Sequence, residues 1–360
     1  MRIAILVYSL TGGGAERVAA LWAKGFAERG HQVVVVVNDD KGPVTYGLSD
    51  NVLLKSVTSQ LRLGILRVLD RVWKLRKLLI KEKPQVVIEL MPSYERIVAM
   101  FGLKCIRIST EHNSFERPEN TDDELNVIKK FYLNRLYDHV TVLTQADMKV
   151  IGNRLKHVTV MPNPLALKPA RSVPPKEKVV LAVGRKDSWF YKGFDNLIRS
   201  WERVAAEAKG WKLQIVGGSN GEGQAYLERL CKECGVTDSV EFPDFQSDIL
   251  PCYQQASIFV LSSRYEGFGL VLIEAMSQGC ACIACDYKGR QSEILTNGKN
   301  GVTCEPDNVE VLANAIRQLI VDDERRVQLQ ANAIQRAADF SLGKIMDRWE
   351  EIIRTCRIKN

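Results

Sequence analysis

Short unbroken apolar runs alternate along this chain with longer stretches in which apolar residues recur every three or four positions. IAILV, VVVVV, QVVIEL, CIRIST and HVTVLT are runs of the first kind, and KVVLAV, KLQIV, SIFVLS and CACIAC continue the series in the later half. A strand covered on both faces reads as such a run, which predicts parallel sheets. Helical spacing occupies most of the intervals. It predicts helices from the first glycine loop to about Arg29, over 61–83, 121–138 and 145–155, from Phe194 to about Ala208, over 307–320 and 323–340, and in the last segment. Strand and helix taking turns is the signature of an α/β fold. Pro162, Pro164, Pro169, Pro174 and Pro175 interrupt this rhythm in MPNPLALKPARSVPPKEK, a segment that continues neither helix nor central strand. Two domains are expected, meeting near residue 164.

One stretch organises the chain, SIFVLSSRYEGFGLVLIEAMSQGCACIACD over 257–286. It reads as strand, glycine-broken loop, short helix and strand. The first amides of a helix lack partners within it and carry the positive end of its dipole, so Gly269, Leu270 and Val271 offer N–H groups to an anion. Glu266 precedes the helix and Glu274 lies about one turn in, with seven residues between them. Both would repel a phosphate, so hydroxyls are their expected targets, a ribose for one and a hexose for the other. A nucleotide sugar has that layout.

EGFGLVLIE followed by AMSQGCACIACD resembles the paired-glutamate segment of retaining glycosyltransferases of family 4, whose GT-B fold is two facing Rossmann-like domains. The resemblance covers nearly the whole chain. It implies an acceptor-binding domain over 1–164, completed by a C-terminal helix at 343–360 that crosses back to it, and a nucleotide-sugar domain over 165–342. It also implies that Glu266 faces the transferred sugar, that Glu274 holds the ribose, and that the segment Gly267, Phe268, Gly269 and Leu270 meets sugar and phosphate. Gly184, Arg185, Lys192 and Gly193 match the family's G-R-loop-K-G arrangement, in which two cations hold the diphosphate; the insert DSWFY between them is this chain's own. EHN resembles the family's histidine segment, giving His112 a place at the transferred sugar's hydroxyls.

Gly12, Gly13 and Gly14 invite a dinucleotide reading, but Arg17 stands where the third glycine of that fingerprint belongs. GGGAERV instead resembles the family's first loop, where Gly13 and Gly14 approach the donor phosphate or the acceptor. The segment 61–83 holds eight basic residues against Asp70 and Glu82. At about 100° per residue, Ile65, Leu69, Val72, Leu79 and Ile80 gather on one side, expected to pack, with Arg67, Arg71, Lys74 and Lys81 opposite. With Lys77 these cations are expected to meet the acceptor or an anionic membrane surface.

Composition narrows the picture. No run approaches the ~18–20 apolar residues of a membrane span, and the start reads as a first strand rather than a signal, so a cytoplasmic protein is expected, peripheral on the inner face of the plasma membrane. A net charge of +7 over 360 residues is modest for a nucleic-acid binder, and no nucleic-acid partner is expected. Of nine cysteines, Cys231 with Cys234 and Cys282 with Cys285 have zinc-like spacing, yet they fall inside a helix and a strand pattern, and no metal is expected. No D-x-D occurs in the sequence. The reading is therefore a metal-independent, cofactor-free retaining transferase that moves a hexose or N-acetylhexosamine from a UDP-sugar to a glycan or polyprenyl-diphosphate-linked acceptor. Front-face attack and a Glu266 nucleophile both stay open. So do an epimerase of the same fold and a binding protein without turnover, whereas a dehydrogenase is disfavoured by Arg17.

Overall fold

The computed structural model describes residues 1–40, 42, 44–116 and 130–359. The chain forms two compact units, Met1–Pro164 with Leu342–Asn360, and Leu165–Ser341. The first unit contains β1 (Arg2–Val7), α1 (Gly14–Glu28), β2 (Gln32–Val37), β3 (Val52–Ser56), α2 (Gly64–Glu82), β4 (Val86–Leu90), α3 (Tyr94–Met100), β5 (Ile106–Glu111), β6 (His139–Val142), α4 (Gln145–Ile151) and β7 (Val158–Val160). Its strands lie in the order β3-β2-β1-β4-β5-β6-β7, every pairing parallel. β1, β2 and β4 are buried almost from end to end, as their unbroken apolar runs require. β3 was not evident in the sequence, because an edge strand needs no double cover and VLLKS leaves all but Val52 exposed. Of the helix expected over 121–138, residues 121–129 lie outside the described residues, and 130–134 are helical.

The second unit holds β8 (Glu177–Val183), α5 (Phe194–Ala205), β9 (Lys212–Val216), α6 (Glu222–Glu233), β10 (Val240–Glu241), α7 (Leu250–Gln255), β11 (Ala256–Leu261), α8 (Leu270–Ser277), β12 (Ala281–Cys285), β13 (Val302–Cys304), α9 (Val309–Val321) and α10 (Asp323–Ala337). Its sheet runs β10-β9-β8-β11-β12-β13, again parallel throughout. Trp201, Leu213, Ile258, Ile283 and Ile316 are central to one core between the sheet and its helices. Strand order reverses between β1 and β4 in one sheet and between β8 and β11 in the other. At such a point the loops leaving neighbouring strands diverge and open a crevice at the strands' carboxyl ends. Cys282 and Cys285 both lie buried in β12, where burial pushes the Cys285 thiol up to about 12.

The last helix, α11 (Leu342–Lys359), belongs to the first unit. Trp349 is fully buried there, edge-on to Trp22 at 4.9 Å and 6.1 Å from Phe26. Arg29 at the end of α1 pairs with Asp347 at 2.5 Å and Glu350 at 3.2 Å. Apolar packing sets the contact and the ion pairs fix its register.

The face of α2 that packs is only in part the one expected. Leu75 and Leu79 are buried in the first unit's core with Val72 and Leu78 against it, whereas Ile65, Leu69 and Ile80 are exposed. Nor do all the cations point outward. Arg71 binds Glu95 at 2.8 Å, and Lys74 reaches Asp70 and the Thr58 carbonyl, each at 2.9 Å. The amphipathic reading assumes that the whole apolar stripe packs, but this stripe spans about half the helix, and the sheet covers only the part next to Arg71 and Lys74, whose cations find partners.

Truncating a fully buried tryptophan costs roughly 3–5 kcal/mol through lost burial and the cavity left behind. Trp349→Ala should therefore lower unfolding free energy by about that amount in urea denaturation. A loss below about 1 kcal/mol would remove the terminal helix from the core.

Candidate active site

The sequence-selected residues of the second unit converge at the β8/β11 switch point. The segment after β8 is a turn at Lys186–Ser188 and a single helical turn at Trp189–Lys192. Three side chains fasten it to the start of α6. Lys186 is buried, donating to Gln224 Oε1 at 2.9 Å and the Phe242 carbonyl at 3.0 Å, and burial lowers its pKa. Asp187 accepts from Ser219 Oγ at 2.7 Å and the Asn220 amide at 2.8 Å, bonds that hold its carboxyl below the usual range. Trp189 stacks on Tyr226 at 4.0 Å. The DSWFY insert is thus a pinned helical turn. Arg185 at its start is exposed, and its guanidinium makes no hydrogen bond or ion pair among the described residues.

Lys192 closes the same segment. Its Nζ lies 2.8 Å from Glu266 Oε2, which also accepts from Ser263 Oγ at 3.3 Å. Gly193 makes this approach possible. It has φ +62°, and a Cβ there would overlap the Ser262 carbonyl oxygen, so only glycine lets the loops after β8 and β11 touch backbone to backbone. Gly184 donates its amide to Val216 at 3.0 Å.

Beyond Glu266 the chain passes Gly267 and Phe268, whose ring is buried 5.7 Å from Phe340, to Gly269, the left-handed N-cap of α8 with φ +95°. Leu270 begins the helix, so its first amides face the crevice end of the sheet. Glu274 is buried one turn in, its Oε2 accepting from Tyr253 Oη at 3.1 Å. The two acids thus stand in different surroundings, Glu266 partly exposed beside a lysine and Glu274 enclosed beside a phenol. Sequence reasoning missed Tyr253 and Lys186. Pro251 in the first turn of α7 marks the short helix that carries Tyr253, and a third cation within a two-cation loop was itself a signal.

In the first unit, Gly13 caps α1 in extended backbone and Gly14 opens the helix. The Glu16 carboxylate turns back toward Gly13 and accepts from Ser9 Oγ at 2.5 Å. Glu89 at the end of β4 was not singled out, although an acid inside an apolar run is a signal. It is fully buried, accepting from the Ser93 amide at 2.8 Å and from Tyr137 Oη, and burial raises its pKa. His112 follows β5, its ring 5.6 Å from Trp22. Burial lowers its pKa to about 4, with the neighbouring Asn163 opposing weakly. The imidazole is neutral near pH 7, so it can serve a sugar hydroxyl by hydrogen bonding but not by charge.

Two family models match this chain, that for Glycosyltransferase Family 4 over residues 12–169 and that for Glycosyl transferases group 1 over residues 166–336. The chain belongs to these glycosyltransferases. Among relatives of this glycosyltransferase, an uncharacterized glycosyltransferase of Haemophilus influenzae is 27% identical over 95% of this chain and 96% of its own. The amylovoran biosynthesis glycosyltransferase AmsD of Erwinia amylovora is also 27% identical, over 95% and 96%. The GalNAc-alpha-(1->4)-GalNAc-alpha-(1->3)-diNAcBac-PP-undecaprenol alpha-1,4-N-acetyl-D-galactosaminyltransferase of Campylobacter jejuni is 26% identical, over 100% and 99%. Among solved structures, Anabaena HepE in complex with UDP superposes with a TM-score of 0.82 at 23% identity, covering 99% of this chain and 100% of that one. Sucrose-phosphate synthase of Thermosynechococcus elongatus gives 0.83 at 20%, with 100% of both chains covered. The glycosyltransferase therefore has the GT-B fold, with two Rossmann-like units.

Burial of His112 has a measurable cost at low pH. Its folded pKa of about 4 lies below the ordinary 6.5, so between these values the unfolded chain takes up the proton first and stability falls as pH falls. Relative to His112→Gln, the unmodified protein should lose up to about 2 kcal/mol on going from pH 7 to pH 5, read from urea midpoints. Equal losses in the two proteins would mean that the ring titrates normally.

Proposed function

We propose that this glycosyltransferase moves a hexose or N-acetylhexosamine from a UDP-sugar to a sugar hydroxyl of a lipid-linked oligosaccharide or surface polysaccharide precursor, retaining the anomeric configuration and using no metal ion. The observation that carries this reading is the Lys192–Glu266 contact beside the exposed Arg185 and the start of α8. A cation and a carboxylate paired to each other at a strand-end crevice can exchange that pairing for a diphosphate and a sugar hydroxyl, each of which restores what the other gives up. Arg185, Lys192 and the first amides of α8 would then stabilise the negative charge that grows on the departing UDP, the role a metal ion fills elsewhere. Glu274, buried beside Tyr253, is assigned to the ribose.

In the step itself, the bond from the anomeric carbon to the UDP phosphate oxygen breaks and a bond from the acceptor oxygen to the same carbon forms. The acceptor's proton passes to the leaving phosphate oxygen. This front-face course fits a Glu266 whose carboxylate is already shared between Lys192 and Ser263, which blunts it as a nucleophile and suits it to hold the sugar. The acceptor is assigned to the first unit, with the Gly13–Gly14 turn against the donor phosphate or the acceptor and neutral His112 on a hydroxyl of the transferred sugar. The choice of a lipid-linked or polysaccharide acceptor draws on the relatives, one named for amylovoran biosynthesis and one for a PP-undecaprenol substrate. Such an acceptor sets the work at the inner face of the plasma membrane.

Incubation with a panel of UDP-sugars and a polyprenyl-diphosphate-linked disaccharide, in the presence of EDTA, should give an α-linked product from an α-linked donor. An inverted product, a requirement for metal, or UDP-GlcNAc turned over without acceptor would each overturn the reading. Arg185→Ala with Lys192→Ala should lower kcat about 100-fold or more, and near-normal turnover would remove the diphosphate clamp. Glu274→Ala should weaken UDP binding about tenfold or more in calorimetry, the effect of a lost hydrogen bond to a charged group. Unchanged affinity would end its ribose assignment.

A further inference from the structure

The outward side of α2 is not the solvated cationic face its composition implies. The segment 61–83 holds six more basic than acidic residues, most of the chain's net charge of +7. Yet Ile65 is 74% exposed, Trp73 60%, Leu69 57%, Ile80 51% and Leu66 45%. At about 100° per residue these five fall within one sector of roughly 100°. Beside that sector come Lys77, Lys81 and Arg67, all exposed, while Leu79 and Leu75 flank its other edge and lie in the core. The helix therefore has three faces: one buried, one apolar and open, one basic and open.

Exposed apolar area of this extent needs an occupant, because leaving it in water forfeits its burial. The charges identify which. Arg71 and Lys74 have acidic partners, but no ion pair joins Arg67, Lys77 or Lys81 to any described residue. Lys77 Nζ sits 5.0 Å from the centre of the Trp73 ring, so the aliphatic stem follows the apolar ridge and the ammonium ends at its rim. Phe101, 77% exposed just beyond α3, extends the apolar surface, its carbonyl held by Arg76 at 2.7 Å. Protein interfaces are depleted in lysine, whereas a tryptophan and aliphatic ridge edged by uncompensated cations suits the boundary between acyl chains and anionic headgroups.

We propose that α2 docks the protein on an anionic lipid surface by inserting the ridge Ile65, Leu66, Leu69, Trp73 and Ile80 below the headgroups, with Lys77, Lys81 and Arg67 on lipid phosphates. Insertion, rather than attraction at a distance, holds the contact. This deepens the lipid-linked acceptor reading and rests on it for its purpose, though not for its physics.

Trp73 reports on the contact directly, since Trp22, Trp201, Trp211 and Trp349 are buried and Trp189 is stacked on Tyr226. Mixed phosphatidylcholine–phosphatidylglycerol vesicles should bind the protein, shift its fluorescence to shorter wavelength, and quench it when doxyl groups are placed shallow in the acyl chain. Trp73→Phe should lose the quenching and keep binding. Leu66→Asp with Leu69→Asp, both on exposed positions, should weaken vesicle binding about tenfold or more without lowering Tm, and should leave transfer to a detergent-free, water-soluble acceptor fragment unchanged. Unquenched Trp73 overturns the proposal, as does binding abolished by salt but indifferent to the leucine changes, or a dimer in solution that those changes dissociate. Vesicle binding that persists while no sugar is transferred to any acceptor would sink the acceptor reading alone.

Discussion

The loops leaving β8 and β11 touch backbone against backbone, and most of the site in the second unit depends on that contact. A side chain at Gly193 would overlap the Ser262 carbonyl, so one missing Cβ allows Lys192 to come within hydrogen-bonding distance of Glu266. The same closeness recurs one strand further out, where a Cβ at Gly217 would overlap the Gly184 carbonyl. Parallel strands bring the loops to one edge, but only glycine lets them close up. Lys186, Asp187 and Trp189 then clamp the insert to α6, while Arg185 at its start stays exposed and can turn toward a ligand.

Charges around this contact are arranged for exchange. Lys192 and Glu266 satisfy each other, so neither carries the desolvation cost of standing alone. Deeper groups are treated differently. Glu274 and Glu89 are enclosed beside tyrosines, and burial has made His112 neutral. The pair near the surface can swap partners, whereas the enclosed groups are fixed in place by their hydrogen bonds.

A second constraint acts on α2, which carries more apolar surface than one sheet can cover. The sheet takes Leu75 and Leu79, Arg71 is drawn down to Glu95, and the helix is thereby rotated so that Trp73, Leu69 and Ile65 face outward. Packing in the core and partners for two cations thus decide what the protein shows to its surroundings.

Much of this was legible in the residues alone. Unbroken apolar runs such as VVVVV and SIFVLS determined parallel strands because only a doubly covered strand tolerates them, and the glycines around Glu266 marked a close approach because no other residue allows one. Local periodicity carries such information, since each depends on neighbours within a few positions. What it could not carry was the choice among long-range partners. The edge strand β3, the pairing of Tyr253 with Glu274, the burial of Lys186 and the rotation of α2 each depend on groups tens of residues away. A lysine reads alike in sequence whether it will point into solvent or cap a distant carbonyl. Tertiary structure decided that, because hydrogen bonding and burial are settled by what the fold brings near.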